Sequence, residues 1–75
     1  MTLPPQLDAF KIAFKFLENL GYLEYHSQKV IMLRLKEARK MVNPNILKTN
    51  NPEMISNAIL LSLADQTIQR FFLIQ

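Results

Sequence analysis

"VNPNILKTNNPEM", residues 42–54, carries two of the chain's four prolines, and an asparagine precedes each of them. An asparagine side chain is a good N-cap, because its oxygen accepts a hydrogen bond from a free N–H of the first helical turn. Proline suits the next position, where its φ is already helical and its missing N–H is no loss. The residue before a proline avoids helical geometry, so each pair also ends the preceding helix. Asn43-Pro44 and Asn51-Pro52 therefore predict a helix, a short turn and a second helix.

On both sides of this segment, apolar residues recur at the 3.6-residue spacing of helices, and the alternation typical of strands does not persist. The spacing predicts helices at about 6–20, 25–42 and 52–73. Gly21, the single glycine, stands where a left-handed C′ residue ends the first helix. Asn43-Pro44 opens only a one-turn connector over 44–48. The predicted fold class is all-α, with one domain over residues 1–75 and three main helices plus the connector in a small bundle.

The first and last predicted helices are more apolar than a small monomer can bury. Leu, Ile, Val and Phe make up 26 of the 75 residues, and no charge lies between Glu53 and Asp65. A helix that is apolar around most of its circumference is normally buried, whereas a chain this short buries only about 60% of its unfolded surface. We therefore expect dimerisation to complete the bundle. The predicted interface consists of Phe10, Phe14, Phe16, Leu60, Leu61, Ile68, Phe71 and Phe72.

The sequence offers little for catalysis. His26 and Ser27 are adjacent, but neighbours on a helix point about 100° apart, and a nucleophile and its base must share a hydrogen bond. The chain has no cysteine and no His or Glu spacing typical of a metal site, and one glycine cannot form a phosphate-binding loop. We predict a non-enzymatic protein with no cofactor and no bound metal.

Positive charge is concentrated in the middle of the chain. Residues 29–48 hold six cations and one acid, a net +5, whereas the remaining residues carry three cations and five acids, a net −2. The predicted contacts to an anionic partner are Lys29, Lys36 and Lys40 in one row, with Arg39 beside them. Such a row could follow phosphates, although a solvated helix face has the same composition. A small basic nucleic-acid-binding regulator that uses helix 25–42 is therefore the alternative function.

The first-ranked function is a helical protein–protein interaction or oligomerisation module, such as a small adaptor, regulator or assembly factor. Its partner would be a second copy of the chain, another protein, or both. The longest uncharged stretch, residues 54–64, is shorter than the roughly 20 residues needed to span a bilayer. The first residues show no basic region followed by an apolar run, so no signal peptide is predicted. We expect a soluble, cytoplasmic protein without a membrane span.

The segment FKFLENLGYLEYHS, residues 14–27, resembles a LisH motif. In that motif a helix ends in Phe/Tyr-Leu, and Gly-Tyr follows after three residues. Phe16-Leu17 and Gly21-Tyr22 take these positions here, whereas Tyr25 stands where the motif has a small residue. The resemblance covers about 15 of the 75 residues. It implies dimerisation, in agreement with the expectation from apolar content.

Overall fold

The structure, a computed structural model, describes residues 4–73, and this part of the chain is helical with no strand. Its elements are α1 (Pro5–Asn19), a 3₁₀ turn (Tyr22–Glu24), α2 (Gln28–Arg39), α3 (Pro44–Leu47), α4 (Pro52–Leu61) and α5 (Gln66–Leu73). The predicted all-α class is confirmed, and α3 is the predicted one-turn connector. Completion of the bundle by a second copy stays a prediction.

The helix-start signals act as predicted. The Asn43 side-chain oxygen accepts a hydrogen bond from the Asn45 N–H at 2.9 Å, and the Asn51 side-chain oxygen accepts one from the Met54 N–H at 3.2 Å. A proline follows each asparagine at the start of α3 and α4. Gly21 follows α1 with φ +86°, in the left-handed region that favours glycine. These ends are set by local hydrogen bonding and backbone geometry.

Helix α2 is shorter than the predicted 25–42. Its start is fixed at Gln28 because the Ser27 hydroxyl accepts a hydrogen bond from the Val30 N–H at 3.3 Å. After Arg39, the N–H groups of the next three residues donate to carbonyls three residues back, so the last turn tightens and the helix ends. Val42 remains buried against the core beyond that end.

The predicted helix 52–73 is wrong, because the chain turns between α4 and α5. Ala64 takes a left-handed φ of +57°, and the Asp65 side chain caps α5 by accepting hydrogen bonds from the N–H groups of Thr67 (2.8 Å) and Ile68 (3.3 Å). A left-handed alanine costs about 1 kcal/mol. Full burial of an isoleucine side chain stabilises the fold by about 1.5–3 kcal/mol, and Ile68 is fully buried. Burial therefore outweighs the backbone strain.

The core lies mainly between α1 and α4, which form the most extensive helix contact. The side chains that α1 buries completely include Ala9 and Ala13, and α4 contributes a fully buried Ser56. Small side chains permit a short distance between helix axes. The buried apolar residues are Ala9, Ala13, Leu17, Ile31, Leu35, Ala38, Val42, Ile55, Ile59, Leu60 and Ile68.

We expect Asn51→Ala to lower the free energy of unfolding by about 1 kcal/mol, because it removes the cap at the start of α4. Urea denaturation followed by circular dichroism measures the change. Asn50→Ala is the matched control, since Asn50 is exposed and its side chain makes no hydrogen bond within residues 4–73. Equal losses in the two variants would contradict the capping role.

We expect Ser56→Ala to raise the free energy of unfolding by about 1 kcal/mol, because the buried Ser56 hydroxyl has no hydrogen-bond partner within the described residues. The same denaturation assay tests this. Ser62→Ala is the control, since the Ser62 hydroxyl donates to the Ala58 carbonyl at 2.9 Å, and its loss should not stabilise. A lower stability of Ser56→Ala would show that the hydroxyl contributes to the packing of α4.

Candidate functional site

An open groove with a volume of about 780 Å³ lies between α1 and α2. Its floor is apolar: Leu7, Phe10 and Phe14 come from α1, and Met32 comes from α2. The two phenylalanines and the methionine are half-buried against the core, whereas Leu7 is exposed. The groove therefore presents a continuous strip of large apolar side chains to solvent.

The groove forms because, on each of its two helices, one stripe of side chains packs into the core and the neighbouring stripe lines the groove. On α1, the buried stripe of Ala9, Ala13 and Leu17 faces the core, while the residues one position further, Phe10 and Phe14, line the groove. Side chains three or four positions apart share a helix face. On α2 the residues that line the groove follow the same spacing and are Gln28, Met32 and Lys36.

Lysines flank the groove on both helices. Lys11 and Lys15 extend from α1, and Lys36 extends from α2. Among residues 4–73, Glu18 is the single carboxylate of the lining, and its Oε1 lies 3.6 Å from Lys15 Nζ. This pair is exposed, so it contributes little to stability. With three ammonium groups against one carboxylate, the rim of the groove is positively charged.

One end of the groove is held by a hydrogen bond between the two walls. Arg39 Nε, in the last turn of α2, donates to Gln6 Oε1, in the first turn of α1, at 2.8 Å. Gln6 directly precedes Leu7, and Arg39 lies one turn beyond Lys36. This bond fixes the spacing of α1 and α2 where the groove begins.

The four cations that the sequence grouped have different contacts in the structure. Lys36 lines the groove, and Arg39 donates to Gln6. Lys29 and Lys40 are exposed outside the groove, and Lys40 Nζ lies 3.3 Å from Glu37 Oε1. The lysines of α1 were not among the predicted contacts. The available signal was their spacing, because Lys11 and Lys15 each follow a groove phenylalanine by one residue.

Two of the residues predicted at an interface lie inside the chain. Leu60 is 1% exposed and Ile68 is fully buried. The turn between α4 and α5 brings Ile68 into the core, so these two side chains cannot contact a partner while the bundle is intact. Phe10 and Phe14 belong to the groove. The predicted interface residues therefore do not form one surface.

The other predicted aromatic residues form a separate cluster where α5 returns to α1. The Phe16 ring meets the Phe71 ring edge-on at a centroid distance of 4.9 Å, and it stacks on the Phe72 ring at 5.8 Å. Such pairs add about 0.5–1.5 kcal/mol beyond area burial. Phe71 remains 42% exposed and Leu61 45% exposed. Part of the apolar surplus is thus covered within the chain, and part still faces solvent.

Tyr22 and Asp65 form a polar contact between the 3₁₀ turn and the start of α5. The Tyr22 hydroxyl donates to Asp65 Oδ2. Burial, aided by this bond and the carboxylate charge, raises the pKa of Tyr22 to about 12. The bond from Tyr22 is the main cause that lowers the pKa of Asp65. The adjoining cavity of about 20 Å³ has room for one water at most. Because Asp65 also caps α5, its hydrogen bond with Tyr22 links the 3₁₀ turn to the start of that helix.

We expect Tyr22→Phe to lower the free energy of unfolding near neutral pH by about 1 kcal/mol, since it removes a hydrogen bond to a charged acceptor. The contribution of the pair should be lost with acid as pH falls through the lowered pKa of Asp65, below 3.8. It should be lost with base between pH 10 and about 12, because the pKa of Tyr22 is raised in the folded state.

Urea denaturation across this pH range tests the Tyr22–Asp65 contact. Tyr25→Phe is the control, because Tyr25 is 80% exposed. Wild type and Tyr25→Phe should show the same pH dependence. A Tyr22→Phe variant that is as stable as Tyr25→Phe at neutral pH would contradict the role of this contact.

The adjacent His26 and Ser27 have separate structural roles. The Ser27 hydroxyl caps α2, and the His26 ring lies against the Tyr22 ring at a centroid distance of 5.9 Å. Within residues 4–73, no group of three or more His, Cys, Asp or Glu side chains is placed to hold a metal ion. None of the helices in this part of the chain is long and apolar enough to cross a membrane.

Fold and groove together define an all-helical bundle with an apolar, basic-rimmed groove on its surface. Comparison of the chain with protein-family models, with curated proteins and with solved structures finds no match in any of the three.

Proposed function

We propose that this chain is a non-enzymatic helical module that binds another protein through the groove between α1 and α2. The observation that carries the proposal is the strip of large apolar side chains along a groove of about 780 Å³ that is open to solvent. Contiguous exposed apolar surface with a polar rim is typical of interaction sites. A groove between two helices is also a common binding site for a segment of a partner protein.

The polar residues of the groove support binding better than catalysis. They are lysines, one glutamate and one glutamine, and the Lys15–Glu18 pair is exposed to water. Acid–base or nucleophilic catalysis uses groups within hydrogen-bond reach whose pKa values are shifted by their surroundings. Ammonium groups at the rim of an apolar strip instead suit the recognition of a charged, amphipathic partner.

Self-association remains a second form of the same proposal. The exposed apolar side chains available for it include Leu61 on α4 and Phe71 on α5, and the Phe71 ring contacts the rings of Phe16 and Phe72. The return of α5 onto α1 reduces the apolar surplus from which a dimer was predicted, so a dimer would have a smaller interface than the eight predicted residues imply.

A cytoplasmic location is likewise proposed from the sequence.

Nucleic-acid binding is the alternative, favoured by the exposed Lys29, Lys36 and Lys40 along one side of α2. Two features weaken it. Leu33, which is 54% exposed, lies on the same side between the lysines, and Arg39 is engaged with Gln6. Under this alternative, Lys29→Glu and Lys36→Glu would weaken binding to a DNA or RNA oligonucleotide equally, and replacement of the apolar groove residue Leu7 by glutamine would have no effect.

Two leucine variants provide a matched test of the groove. Leu7 is 53% exposed and lines the groove, whereas Leu33 is 54% exposed and lies outside it. Peptides selected from a random displayed library on the wild-type protein should bind Leu7→Gln about tenfold more weakly, since loss of an apolar anchor costs more than about 1 kcal/mol. They should bind Leu33→Gln with unchanged affinity. Fluorescence anisotropy with labelled peptides measures both.

Neither substitution should alter stability by more than about 0.5 kcal/mol, because both replace exposed side chains. Circular dichroism before each titration checks this. Selected peptides that lose affinity for Leu33→Gln and keep it for Leu7→Gln would place the binding surface outside the groove. A selection that yields no ligand would contradict the proposed function.

A further inference from the structure

We propose that the groove takes an acidic amphipathic helix of a partner protein, about three turns long, with apolar side chains toward the groove floor and carboxylates along both flanks. This inference rests on the proposed function and names the class of partner. It follows from the dimensions of the groove, the position of its charges and the exclusion of a second copy.

The length of the groove corresponds to a helical segment. Its α1 wall extends from Leu7 to Glu18, and at 1.5 Å per residue this is about 16 Å, or three helical turns. A partner helix of that length presents apolar residues at i, i+3 or i+4, and i+7 along one face. Leu7, Phe10 and Phe14 have the same spacing on α1, so three successive anchors can pack along the floor.

The charges lie where the flanks of a bound helix would be. Lys11 and Lys15 stand on the α1 wall, and Lys36 stands on the α2 wall. A helix seated between the walls has one flank beside each of them. Opposite charges at such a rim speed association and exclude partners of the wrong sign. Carboxylates on both flanks therefore match the groove, and cationic flanks do not.

A second copy of the chain does not fit this groove. A twofold dimer brings the same patch of both subunits together, so both copies of Lys11, Lys15 and Lys36 would share one interface, and Glu18 is the single acid that the described part of each groove would contribute. Like charges facing each other at an interface are unfavourable.

A small apolar acid is a weaker match than a helix. Small-molecule sites bury about 70–90% of their ligand, whereas this groove is open along one side and the side chain of Leu7, on its floor, is 53% exposed. A helix covers such a strip with one face and leaves its polar face in water. The openness of the groove thus favours a helical occupant.

Three labelled peptides of about 14 residues, roughly four turns of helix, test the inference on the full chain. The first has leucines at i, i+4, i+7 and i+11 with glutamates on both flanks. The second has the same leucines with lysines on the flanks. The third keeps the glutamates and replaces the leucines with glutamine. Fluorescence anisotropy should show that the first binds at least about tenfold more tightly than either of the others.

Two lysine variants locate the charge contact. Lys36→Glu changes the groove rim, whereas Lys29→Glu makes the same change of charge on the same helix outside the groove. Affinity for the first peptide should fall roughly three- to tenfold in Lys36→Glu. It should change little in Lys29→Glu, and the affinity of the wild type should fall with added salt. The second peptide should gain affinity for Lys36→Glu.

Several outcomes would overturn the inference. One is equal binding of the second peptide or of the third. Another is equal loss of affinity in Lys29→Glu and Lys36→Glu.

Failure of the first peptide, while library-selected peptides still depend on Leu7, would reject the acidic helix and leave the proposed function standing. A dimer in sedimentation equilibrium that Leu7→Gln returns to monomer would assign the groove to a second copy. Displacement of the first peptide by decanoate, with no recovery of binding when more peptide is added, would assign the groove to a small apolar acid.

Discussion

The contact between α1 and α4 is the interaction on which the other parts of the bundle depend. Fully buried Ala9 and Ala13 on α1 and fully buried Ser56 on α4 allow the two helices to pack closely. Helix α2 packs against this pair through Ile31, Leu35 and Ala38. The small residues of α1, Ala9 and Ala13, are buried in the core. The neighbouring aromatic residues, Phe10 and Phe14, therefore lie beside α2, where they form the floor of the groove.

The turn between α4 and α5 decides how much apolar surface the chain can cover by itself. A straight helix through residues 62–65 would carry Ile68 away from the core. The turn instead buries it, and it brings Phe71 and Phe72 onto Phe16. The bond from Tyr22 to Asp65 holds the turn from the side of α1. Self-association is therefore not required to bury Leu60 and Ile68.

Electrostatics and apolar burial have separate roles at this groove. In the proposed function, the apolar floor would supply the affinity for a partner, since the burial of apolar side chains is the main favourable contribution to association. The lysines beside the floor would select the sign of the partner's charge. The sequence showed a basic segment over 29–48 and an apolar α1, but it did not show that Lys11, Lys15 and Lys36 surround one apolar strip.

Local chemistry is what the sequence by itself determined: the helical class, the Asn-Pro starts of α3 and α4, and the end of α1 at Gly21. Each depends on a few neighbouring residues, so it could be predicted without knowing the fold. The tertiary structure alone decided the left-handed Ala64, the burial of Leu60 and Ile68, and the placement of Lys11, Lys15 and Lys36 around one groove. No glycine or proline marks the turn at Ala64, so its neighbours in the sequence do not predict it. The left-handed backbone of Ala64 costs about 1 kcal/mol, and this cost is offset by the burial of Ile68, which enters the core only when α5 folds back.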